Sequence, residues 1–103
     1  MSGPTKCKVD RIRARQGGRC WLCNHPLDFE AEPNTKRAPT IEHLLPRTKG
    51  GGNEPANLAL CHPACNRHLA DRSPEQKRQM RAKWHAEFKR VEGQRRPKMK
   101  RDP

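Results

Sequence analysis

The sequence contains no tyrosine, only two Trp and two Phe, and hydrophobic residues fill just 31% of its 103 positions. A chain of this size buries only a modest share of its surface. With so few large apolar side chains it needs a staple: a disulfide, a metal or a partner. Nowhere do ~18 apolar residues run together, which excludes a membrane-spanning helix. The opening MSGPTKCKVD lacks the apolar stretch of a secretory signal. A cytoplasmic address is therefore expected, where thiols stay reduced and cysteine pairs more often mean metal than disulfide. Acidic residues are scarce as well, 11 Asp and Glu against 23 Lys and Arg, for a formal charge of +12 and a pI near 10.3. Such an excess points to a polyanionic partner, of which nucleic acid is the commonest.

What is present has a simple layout. There is no internal repeat, and one small domain is expected over residues 1 to 93. A basic arm, QRRPKMKR and its last residues, follows over 94 to 103 and reads as a flexible tail. Residues 5 to 16 predict a short helix with Val9 and Ile12 on one face, ended by Gly17 and Gly18. Residues 24 to 37 are polar and interrupted by proline, so they are expected to be irregular or a weak strand. Thr40-Ile41, between Pro39 and Pro46, reads as the core of a strand, and Asn57 to Leu60 as its return partner. A short helix is expected from Pro63 to about Ala70. A longer one is expected over 74 to 92, where Ser73, Pro74 and Gln76 make a capping box. Its stripe of Met80, Trp84, Phe88 and Val91 reads as core packing.

The chemistry gathers in two places: CWLC at residues 20 to 23, and APTIEHLLPRTKGGGNEPANLALCHPACN at 38 to 66. Cys20 and Cys23 can wrap one metal ion, because two intervening residues let both sulfurs face inward on a tight turn. A second pair must close the tetrahedron. CHPAC offers Cys61 with Cys65, or His62 with Cys65. Both spacings suit zinc, and residue chemistry alone does not choose. Histidine, with a reference pKa near ~6.5, is a serviceable general base at neutral pH, and His43 is the candidate. It follows Glu42 on a strand, where neighbours point to opposite faces.

Taken in order, CWLC, TIEHLLPRTKGG and NLALCHPACN resemble the H-N-H nucleases, the zinc-stapled branch of the ββα-metal nucleases. The resemblance covers residues 11 to about 72, with a core motif at 20 to 72. It implies an α+β fold: a small ββα-metal (His-Me finger) domain with a structural zinc, flanked by an N-terminal and a C-terminal helix. Counted from Asn57, the family's spacing assigns structural Zn²⁺ to Cys20, Cys23, His62 and Cys65. Cys61 is left as a buried thiol and Cys7 without a ligand role.

The same resemblance implies a catalytic set. His43 matches the first H, which activates water. Asn57 matches the central N, which fixes the loop and the base. Asn66 stands where the final H would be, an H-N-N variant. With Glu42 it is expected to hold a catalytic divalent ion, and oxygen ligands favour Mg²⁺ or Mn²⁺. Glu42 departs from the family's more usual Asp by one methylene. His68, two residues beyond Asn66, is a reserve candidate that a helix turns away. Arg47 and Lys49, in the Gly-rich loop, are expected to pair with phosphates. Trp21 is expected to pack over the metal site.

The implied activity is endonucleolytic hydrolysis of DNA, favoured over RNA, by a monomer with low sequence specificity. Two rivals share most of these features. One is a non-catalytic, zinc-dependent module that binds nucleic acid. The other is a basic adaptor in a larger phage or restriction complex.

Overall fold

The computed structural model describes residues 6 to 100, with side chains from 7 to 93. Helix α1 spans Lys6–Gln16, followed by an irregular segment that carries the CWLC turn. Strands β1 (Thr40–His43) and β2 (Leu58–Cys61) form an antiparallel hairpin. Helix α2 (Pro63–Leu69) follows β2 directly, and helix α3 runs Pro74–Lys100. This is the expected α+β arrangement, with helices before and after a two-stranded ββα unit. No helix among the described residues is long and apolar enough to cross a membrane.

The register pairs Thr40 with Cys61 and His43 with Leu58. All four residues of β2 are buried, because its outer edge is covered rather than free. Gln16 supplies that cover: its Oε1 accepts from the Leu60 N–H (2.9 Å) and its Nε2 donates to the Leu60 carbonyl (2.9 Å). The Trp21 N–H donates to the same carbonyl (2.9 Å), and Arg15 donates to the Leu58 carbonyl (3.0 Å). An exposed strand edge is a pairing hazard, and here α1 satisfies it with side chains.

The core forms where α1, the CWLC turn, β2 and α2 meet: Val9, Ile12, Leu22, Leu27, Leu60 and Leu69, with three of the five cysteines among them. Gly17 ends α1 in the left-handed region (φ 97°), its N–H bonded to the Arg13 carbonyl at 2.7 Å. The capping box expected before α3 is formed: the Gln76 N–H bonds Ser73 Oγ (3.1 Å), and the Ser73 N–H bonds Gln76 Oε1 (3.0 Å).

Three local expectations differ from the structure. Asn57 belongs to a 3₁₀ turn over Pro55–Asn57, not to the strand. The apolar stripe of α3 divides: Met80 and Trp84 pack against the core, whereas Val91 is exposed and Phe88 lies edge-on to the His25 ring at 4.8 Å. Helix α3 also continues past residue 92 to Lys100, so no helix end marks the start of the basic arm. Residues 101 to 103 of that arm lie outside the described residues.

Candidate metal centre and active site

The CWLC turn closes on itself through its backbone. The Asn24 N–H bonds the Cys20 carbonyl (3.1 Å), and the Cys23 N–H points to Cys20 Sγ (3.5 Å). Asn24 adopts the left-handed region (φ 66°), which asparagine tolerates better than most residues. The turn therefore presents Cys20 and Cys23 on the same side. The second pair comes from the start of α2. His62 is the residue before its first turn, and Pro63 takes the first helical position, where a missing N–H is harmless.

One ligand atom from each of Cys20, Cys23, His62 and Cys65 lies within 4.8 Å of the others. His62 Nδ1 faces Cys23 Sγ at 3.4 Å and Cys65 Sγ at 3.9 Å. Its Nε2–H donates to the Pro26 carbonyl at 3.0 Å. That outer bond puts the proton on Nε2 and leaves the Nδ1 lone pair for a metal, as outer partners of ligating histidines do.

The thiol chemistry agrees. Hydrogen bonds from Cys23, Cys61 and Cys65 hold the Cys20 thiol far below its ordinary value. Cys61 and Cys65 are pushed far up, first by the hydrogen bond to Cys20. A cation bound among such close-packed thiols would release their protons. Three sulfurs and one imidazole in a compact, partly buried set fit a structural zinc ion. His62 joins the set, whereas Cys61 stays outside it as a fully buried thiol of β2. Cys7 is exposed on α1. Trp21 packs partly against the core, and Arg81 of α3 stacks over its ring at 5.0 Å.

The hairpin presents a second set of polar groups. Glu42 and His43 point to opposite faces of β1: Glu42 is 3% exposed, while His43 reaches outward to the loop. There its Nε2 lies 2.8 Å from Asn53 Oδ1. A carbonyl oxygen only accepts, so Nε2 carries the proton and Nδ1 is left as the basic atom. Asn57 holds the loop that carries Asn53. Its Oδ1 accepts from the Leu45 N–H (2.8 Å), and its Nδ2 donates to the carbonyls of Leu45 (3.1 Å) and Gly52 (3.0 Å). Gly51 is needed in this clamp, because a Cβ there would sit 1.7 Å from the Leu45 carbonyl oxygen.

The family model for HNH endonuclease matches residues 20–72, just over half of the chain. The chain belongs to the HNH endonuclease family. No curated protein and no solved structure gives a significant match to it.

Within the HNH frame the structure brings some expected residues together and separates others. Asn66 lies against β1 from α2, its Nδ2 donating to Thr40 Oγ1 (3.2 Å) and to the Ile41 carbonyl (3.2 Å). This leaves its Oδ1 as the atom for any ligand. His68 is turned away and packs edge-on to Trp84, with ring centroids 5.4 Å apart. Arg47 and Lys49 are exposed on a short 3₁₀ turn that Gly50 ends with φ 92°.

Glu42 is where the HNH frame and the structure part. Its carboxylate is hydrogen-bonded and ion-paired to the Nζ of Lys77, a fully buried residue of α3. The same Nζ donates to the His43 carbonyl at 2.8 Å. Burial pushes the Glu42 carboxyl above its usual range, and the Lys77 ammonium pulls against that rise. As arranged, Glu42 and Asn66 do not fit a divalent ion, because the carboxylate already holds a cation.

Sequence reasoning missed two residues, Asn53 and Lys77. Asn53 carries no signal beyond being one of the asparagines of the motif. Lys77 carries one: it lies three residues before Met80 on the apolar stripe of α3, so the helical period puts a lysine on the buried face.

Proposed function

We propose that this HNH protein is an endonuclease that hydrolyses phosphodiester bonds of DNA with little sequence preference, with His43 as the general base. The observation that carries this reading is the His43–Asn53 contact, which fixes the tautomer and leaves Nδ1 free at the exposed end of the hairpin. A base set this way takes a proton from water, and the hydroxide attacks phosphorus. The bond to the 3′ oxygen breaks, and that oxygen takes a proton from solvent. Asn57 acts at one remove, by holding the loop that holds Asn53. Arg47 and Lys49 neutralise phosphate charge beside the base, and such contacts give affinity without reading sequence. Zinc at Cys20, Cys23, His62 and Cys65 anchors the start of α2 to the CWLC turn and takes no part in the reaction.

The test is nicking of supercoiled plasmid by zinc-loaded protein with Mg²⁺ or Mn²⁺, beside His43→Ala. The substitution removes no zinc ligand, so zinc content and duplex affinity should stay close to wild type. Cleavage should fall by ~10²–10⁴-fold, the usual contribution of a general base. Equal cleavage by both proteins would move the catalytic centre away from His43. The Glu42–Lys77 pair favours a second reading, a zinc-stapled module that binds nucleic acid without cutting it. Wild-type protein that binds duplex but leaves both DNA and RNA intact with either ion would put that reading in its place.

A further inference from the structure

We propose that Lys77 is the resident cation of the Glu42 site: its ammonium and a divalent ion exclude each other at that carboxylate. The inference rests on the HNH reading only for the expectation that Glu42 would hold an ion. The exclusion itself comes from geometry. Lys77 is 0% exposed and Glu42 3%, so neither group can turn into solvent without opening the packing between α3 and β1. The Lys77 Nζ already contacts both Glu42 Oε2 and the His43 carbonyl. A divalent ion placed on the same carboxylate would face a fixed positive charge where water cannot screen it.

The helix start keeps the ammonium in place. The Lys77 N–H bonds the Ser73 carbonyl at 3.0 Å, and the Ser73–Gln76 box secures the turn from which the side chain leaves. Through the His43 carbonyl the same ammonium ties the first turns of α3 to the strand end that carries the proposed base. Lys77 therefore acts as a positioning residue for His43 and as a competitor of the ion.

The experiment reads ion binding, not cleavage, so it is decided separately from the nuclease assay. Mn²⁺ is titrated into the zinc-loaded full chain, and the free ion is followed by electron paramagnetic resonance. Lys77→Gln should bind one Mn²⁺ about tenfold or more tightly than wild type, because removing the buried positive charge removes its repulsion of the ion. The double variant Glu42→Gln/Lys77→Gln should lose that gain. A Lys77→Gln protein that binds Mn²⁺ no more tightly than wild type, or a gain that survives in the double variant, overturns the proposal. Should Lys77→Gln fail to fold, Glu42→Gln alone decides. Unchanged Mn²⁺ affinity is expected, since Lys77 keeps the ion off Glu42, and a loss of about tenfold overturns the proposal.

Discussion

The zinc end and the hairpin end of this molecule are built on opposite plans. At the zinc end, four side chains bring their donor atoms toward one point, and the outer bond from His62 to Pro26 frees a ligand atom for that point. At the hairpin end, the polar side chains are mostly occupied by the chain itself. Glu42 is held by Lys77, Asn57 by Leu45 and Gly52, and Asn66 by Thr40 and Ile41. His43 keeps a basic nitrogen available there. The first region is a cage that needs its ion to be complete. The second is a scaffold already closed by internal partners, with a half-buried base at its end.

Breaking the cage should have the largest effect. Cys20→Ser, or chelation of the metal, should unfold the domain, since structural zinc in small domains is worth on the order of 10 kcal/mol of folding energy. Circular dichroism with elemental analysis checks this, and native-like spectra in protein free of zinc would refute it. His62→Ala should lose zinc, because it removes a ligand. Cys61→Ala should keep zinc and lose only about 1 kcal/mol, as a small buried side chain outside the cage. Reversed results would mean that Cys61 is the fourth ligand.

The scaffold should break by backbone, not by metal. Gly51→Ala puts a methyl against the Leu45 carbonyl, which should cost about 2 kcal/mol or more in a thermal melt while zinc content stays unchanged. The smallest structural change should come from Asn53→Ala, which leaves the clamp of Asn57 in place. Its melting temperature should stay near wild type while cleavage falls roughly ten- to a hundredfold through a misoriented base. An Asn53→Ala protein that cuts like wild type would show that the imidazole is held by other means.

The two regions also differ in how much of each is legible in the sequence. The cage is legible because its partners are close in the chain: Cys20 pairs with Cys23, and His62 with Cys65, each across a short turn. Such spacings nearly dictate local geometry, but they leave Cys61 and His62 open; the H-N-H resemblance implies His62, and the structure groups it with the three cysteines. The capping box of Ser73 and Gln76 and the hairpin over Thr40 to Leu60 are legible for the same reason. The edge cover by Gln16 is not, since its partner Leu60 lies 44 residues away and nothing in the local pattern joins them.

The sequence alone carries the order of elements, the Cys20–Cys23 turn with a second ligand pair at 61 to 65, and an alternation that sets Glu42 and His43 on opposite faces. Each depends on short-range geometry: the pitch of a helix, the two-residue period of a strand, the reach of a cysteine turn. How the polar groups of the hairpin are paired depends instead on the packing of distant elements. Lys77 meets Glu42 across 35 positions because α3 folds back over β1, and Asn53 meets His43 because Asn57 draws the loop inward. Those pairings follow from burial. A carboxylate removed from water must find a cation or a proton, and which cation it finds depends on which helix is packed against it.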